Sequence, residues 1–200
     1  MIQKHRITGL LAAVMASVLA FPAISQVTPA APAASSASAA TLNKADQKIV
    51  VDMAMANMAE VEAGKMAIGK TQNAQVKTFA QKMVDDHSKA LDDVTALAHS
   101  KGVTLPTTVD APHKAMAAKL DKLSGEAFDH AYMANAGVSD HAKVDAKLKG
   151  FERKAQDADV KALASKMLPT VEEHLNMAKS MSAKKPDTAK QAQPTSGAGQ

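Results

Sequence analysis

Cysteine and tryptophan are absent from this sequence, and its aromatic residues amount to one Tyr and four Phe. Without thiols the chain forms neither disulfides nor thiolate metal sites. Without bulky rings the core must be filled by other side chains, and the sequence supplies abundant alanine and twelve methionines. Alanine is the strongest helix former and methionine fits irregular gaps, so this palette predicts packed helices. Val, Ile and Thr nowhere gather into the alternating runs that strands need. Clustered positive charge is lacking too. The net charge of +4 comes from the ends, with Lys4 and Arg6 at one and Lys184, Lys185 and Lys190 against Asp187 at the other. Between them 19 bases face 19 acids. A neutral body excludes nucleic acid as the expected partner, because a phosphate-binding face needs grouped Lys and Arg.

The longest apolar run, Ile7 to Phe21, follows Lys4, His5 and Arg6 and precedes the small-residue stretch Ala23-Ile24-Ser25. This order predicts a signal peptide over 1–25, cleaved before Gln26. Fifteen residues are short for a membrane anchor, which asks for roughly 20. Export to the periplasm, with no stable anchor after cleavage, is therefore expected. Residues 26–41 are mostly Ala, Pro and Ser, and residues 182–200 are polar and small. Both stretches have too little apolar surface to offset the entropy of ordering, and read as a linker and a tail. One helical domain over 42–181 remains.

Within it, apolar residues recur every three or four positions in four long segments, the spacing of helices with one buried face. The first spans about 44–70. The second starts after Asn73, a good N-cap, and runs to Lys101, where Gly102 can end it. The third opens after Ser124 and runs to about Ala155; the fourth spans about Asp159 to Met181. A short helix is expected after Asp110, with Pro112 in its first turn. Two short connections flanking a long one describe two antiparallel hairpins and a crossover, the wiring of ferritin-like four-helix bundles. The halves also echo each other, Val76-Lys77-x-x-Ala80-x-Lys82-Met83 returning as Val160-Lys161-x-x-Ala164-x-Lys166-Met167.

Each apolar stripe is interrupted by a polar residue, and such interruptions carry the information. They are Glu60, His87, His141 (bracketed on its face by Ala134, Val138, Val144 and Leu148) and His174, one per long helix. Counted from the turns near Gln72 and Gln156, they lie 12, 15, 15 and 18 residues away. At 1.5 Å per residue the spread is about 4.5 Å on either side of each turn, under one helical turn. All four can meet near mid-bundle as ligands of a transition metal (Zn, Cu or Fe) or as a metal-free polar network. Asp86, Asp140 and Glu173 precede the histidines and are candidates to orient a ring on a neighbouring helix, or solvated surface charges. Met83 and Met177 lie about a turn from His87 and His174; thioethers suit Cu(I), but core filling is the simpler role. His99 and His113 read as exposed, His130 shares the face of His141 three turns away, and Glu62 is the reserve for Glu60. Pro169 inside the fourth helix predicts a kink.

The stretch Asn57-Met58-Ala59-Glu60-Val61-Glu62-Ala63-Gly64-Lys65-Met66-Ala67, with Val76-Lys77-x-Phe79-Ala80-x-x-Met83-Val84-x-Asp86-His87-Ser88, resembles the exported bacterial family called domain of unknown function 4142. Tyr132-Met133 before Asp140-His141, and Leu168-Pro169 before Glu173-His174-Leu175, resemble it as well. The resemblance spans about 44–180. It implies a ferritin-like bundle in the periplasm or outer envelope of a Gram-negative bacterium, and implies no activity. Di-iron bundles carry Glu-x-x-His on two helices. Here Val84 and Val171 stand three residues before His87 and His174, which suits one Zn or Cu ion better than an iron pair. No nucleophile–base pair, phosphate loop or metalloprotease motif is present, so a binding or stress-handling role is expected ahead of catalysis. The alternatives are a structural or interaction module, with a homodimer open to it, and a di-iron oxidoreductase.

Overall fold

The computed structural model describes residues 41–183. The expected signal peptide, nearly all of the linker and most of the tail lie outside the described residues. Every described element is helical: α1 (Lys44–Lys70), α2 (Ala74–Ser100), α3 (Ala111–Asp121), α4 (Gly125–Tyr132), a π-helical stretch (Met133–Asp140), α5 (His141–Lys154) and α6 (Ala158–Ala183). The α4, π and α5 segments run on without a break, so the bundle has four long helices and the short α3. Among the described residues no helix is long and apolar enough to cross a membrane.

Local chemistry sets the boundaries. The Asn43 side chain accepts from the backbone N–H of Asp46, and Asn73 from those of Gln75 and Val76, starting α1 and α2. Asp110 does the same for α3, with Pro112 in its first turn, and Asp157 for α6. Gly102, at a φ of 67°, turns the chain out of α2 in the left-handed conformation that glycine tolerates best. Ser124 precedes α4 as expected, but its side chain makes no capping bond. The fourth long helix continues past Met181 to Ala183.

The three-residue turns after α1 and α5 fold the chain into two hairpins, α1–α2 and α5–α6, and the crossover with α3 joins them. Gly64 lets α1 approach α2 closely: a Cβ there would lie 2.8 Å from Val84 Cγ2 and 3.1 Å from the Ala80 carbonyl oxygen. Gly137 does this between the π stretch and α6, where a Cβ would meet that of Ala178 at 3.0 Å. Asp46, buried at the foot of α1, accepts the backbone N–H groups of Gln156 and Asp157 and so ties the first hairpin to the turn of the second.

The core is split. One apolar cluster gathers Ile49, Val50 and Met53 with Val94, Leu148, Val160 and Val171. The other gathers Ala63 and Ala67 with Phe79, Met83, Phe128, Tyr132 and Ala178. Along each long helix buried polar residues lie between the two clusters: Asn57 and Glu60, His87, His141, and His174. A single polar layer crosses the bundle.

Candidate metal centre

His87, His141 and His174 are 4%, 1% and 0% exposed, and one ring nitrogen from each lies within 4.8 Å of the other two. The ring centroids form a near-equilateral triangle of 5.5, 5.2 and 5.5 Å. The contact between His87 Nε2 and His141 Nε2 is 3.4 Å. Three imidazoles from three long helices thus face one another in the polar layer.

What lies behind each ring fixes which nitrogen faces inward. Asn57 Nδ2 donates to the Met53 carbonyl at 2.8 Å, which leaves Oδ1 to face His87 Nδ1, also at 2.8 Å. That oxygen only accepts, so Nδ1 carries the proton and Nε2 presents a lone pair. His141 Nδ1 sits 2.8 Å from the Ala136 carbonyl oxygen and donates to it, leaving its Nε2 free in the same way. His174 uses the opposite tautomer: Nε2 donates to Asp86 Oδ2 at 2.9 Å, and Nδ1 is buried with no partner. Burial works to raise the Asp86 carboxyl, but hydrogen bonds from Lys82 and His174 outweigh it and hold it below its ordinary value, a charged acceptor. The lone pairs of His87 Nε2 and His141 Nε2 therefore face each other, and His174 Nδ1 is a third buried nitrogen with no proton and no partner.

The electrostatics agree with neutral rings. Burial, then the neighbouring His141 and His174, pushes His87 down to about 3. Burial also takes His141 down to about 4, against the opposing bond to Ala136, and burial lowers His174 despite Asp86. Uncharged imidazoles are the form that coordinates metal. Two lone pairs held 3.4 Å apart repel unless a cation or proton lies between them. Tetrahedral coordination with Zn–N distances of about 2.0–2.1 Å places ligand atoms roughly 3.3–3.4 Å apart. The His87–His141 spacing already matches that edge.

Glu60, expected as the fourth ligand, does not join the three. Its carboxylate reaches His141 at Nδ1, 3.6 Å away, the ring nitrogen opposite the one that faces His87. The residue level with His87 across the first hairpin is Asn57, 15 residues before Gln72 as His87 is 15 after, while Glu60 is one turn nearer the turn. Burial, reinforced by Asp140, raises Glu60 well above the ordinary carboxylate range, and its Oε2 has no partner. Tyr132, whose hydroxyl is also buried and unpartnered, is raised by burial and by Glu60.

Of the three acids preceding the histidines, Asp86 alone contacts a ring, and that ring is on another helix. Asp140 pairs with Lys143, and Glu173 is an exposed partner of Lys82. His99, His130 and Glu62 are exposed, and His113 is half-buried against Asp110. Met83 lies in the Phe79–Tyr132 apolar cluster and Met177 packs against it. Ala134, expected on the His141 face, is exposed; Ala136 and Gly137 are buried instead, because the π stretch shifts the register of the third long helix.

The family described as "Domain of unknown function (DUF4142)" matches residues 31–181. Among solved structures, a DUF305 fragment from Deinococcus radiodurans is similar at 13% identity, with a TM-score of 0.63, over 70% of this chain and 97% of that one. The likeness is one of fold. No curated protein matches.

Proposed function

The chain belongs to the DUF4142 family, and we propose that it is an exported, periplasmic ferritin-like four-helix bundle that binds one transition-metal ion through His87 Nε2, His141 Nε2 and His174 Nδ1. The observation that carries this reading is the buried triangle of rings, each with one nitrogen bonded to an oxygen acceptor and the other left without a proton. Metal-ligating histidines nearly always donate their other N–H in this way, which fixes the tautomer and raises ligand basicity. Three neutral nitrogens with no carboxylate among them suit Zn or Cu ahead of Fe. Three protein ligands also leave a position for an exogenous ligand, so the reading extends to metal carriage or metal-stress handling. The two tight hairpins and the long crossover support the ferritin-like arrangement, and the charged, apolar, small-residue order of 1–25 supports export.

Protein purified without a His tag and stripped with chelator is titrated with Zn(II), Cu(II) and Fe(II), with metal content measured afterwards. One tightly held Zn or Cu per chain, lost in His141→Ala, is the expected result. No stoichiometric uptake at micromolar metal would overturn the reading in favour of a metal-free polar core. Two irons per chain with oxygen consumption would point to di-iron chemistry.

A further inference from the structure

A cluster whose rings are at most 4% exposed needs a route by which an ion reaches it. One surface depression leads there. Its floor includes Asn57, His87 and Val171, all buried, and its rim includes Asp86, Asp93 and Lys166. The floor is thus made partly of one of the three rings and the amide behind it. The rim lies where α2 meets α6, the seam between the two hairpins.

Three features of this seam make it a passage. Asp86 is 32% exposed, pairs with Lys82 and accepts from the outward Nε2 of His174, so its carboxylate stands between solvent and the back of that ring. Lys166 and Asp93 pair at 2.8 Å across the seam, one from α6 and one from α2, and both side chains are substantially exposed, at 63% and 36%. An exposed pair of this kind contributes little stability and opens readily. Pro169 lies in the same turns of α6 and has no N–H to donate, so the Ser165 carbonyl lacks its helical partner and this wall is locally weaker.

We propose that the ion enters between α2 and α6, is captured and partly dehydrated by the Asp86 carboxylate, and passes the Lys166–Asp93 pair, which acts as a latch. This rests on the metal-binding reading above. Lys166 also sets a positive charge in the path of a cation, so its removal lowers an electrostatic barrier as well as opening the latch.

The test is stopped-flow uptake of Co(II) by the full chain, followed through the visible absorption of the bound ion. Lys166→Ala is expected to raise the association rate by roughly fivefold to tenfold. The dissociation rate should rise in proportion, so that Kd changes by no more than about twofold. Pro169→Ala, which restores the missing bond in the wall, should slow both rates. The control is Lys149→Ala, which deletes the same charge and also breaks a bridge to α6, that with Glu172, but on the α5 side. Equal acceleration in Lys149→Ala would overturn the route, since only overall charge would then matter. Unchanged rates in Lys166→Ala would overturn it while leaving the metal site standing. If the parent chain takes up no Co(II) or Zn(II) at equilibrium, the metal reading falls and the route falls with it.

Discussion

Behind each inward nitrogen stands a different acceptor: a side-chain amide at His87, a backbone carbonyl at His141 and a carboxylate at His174. Only the first and last can be altered by substitution without moving the chain. Asn57→Leu keeps the branched outline of the side chain but removes the acceptor, so His87 loses the bond that fixes its tautomer. Zinc affinity should fall by about tenfold to a hundredfold, the usual effect of deleting such a partner. Titration calorimetry on the stripped protein checks this, and unchanged affinity would show that Asn57 does not orient the ring. Glu60 gives a prediction of the opposite sign. Its folded pKa is raised, so the stability it contributes is present below about 4.5, its unfolded value, and is lost as pH rises through the folded pKa. Glu60→Gln keeps the shape and cannot ionise. It should raise the melting temperature of the metal-free protein at pH 7 and change it little at pH 4; a lower melting temperature at pH 7 would show that the charged carboxylate is stabilising.

At the scale of elements, contact between helices depends on single atoms that are missing. Gly64→Ala sets a methyl against Val84 Cγ2 and against the Ala80 carbonyl oxygen, and backbone does not move aside cheaply. We expect a loss of about 1–3 kcal/mol in unfolding free energy, measured by denaturant titration. Gly69→Ala, on the same helix with nothing within 4 Å, should cost nothing and is the control. The helices themselves were legible because their signals are local: Asn73 and Asp110 cap what the apolar spacing outlines. The histidines were legible because a polar residue on an apolar stripe is visible in one dimension. Two things were not. A π stretch leaves no mark in residue spacing, so the sequence placed Ala134 beside His141 where the fold places Ala136 and Gly137. Asn57 is not singled out by the apolar spacing, which marks Glu60 instead. The count from Gln72 is within one helical turn for Glu60 and level with His87 only for Asn57. Asp46, which receives the backbone of a turn 110 residues away, has no one-dimensional signature at all.

For the molecule as a whole, a polar layer between two apolar clusters makes folding depend on the charge state of that layer. In the metal-free protein the three histidines are neutral when folded and take up protons when unfolded. A base whose folded pKa is lowered lends no penalty above its unfolded value of about 6.5; below it, each ring costs stability as the pH falls toward the folded pKa. With His87 at about 3 and His141 at about 4, that window runs from pH 6.5 down to roughly 4, at about 1.4 kcal/mol per pH unit for each ring. Glu60 works the other way over part of this range, so the clean measurement is made in Glu60→Gln. There, the unfolding free energy at pH 5 should lie about 4 kcal/mol below that at pH 7, from His87 and His141 together, with His174 adding in the same direction. Replacing His87 by Leu removes one of the titrating rings and should make the pH slope shallower by the share of one proton. If the midpoint of Glu60→Gln in urea does not move between pH 7 and pH 5, the rings are not held neutral in the interior. The polar layer would then be open to water, and the case for three buried, unprotonated ring nitrogens would fail with it.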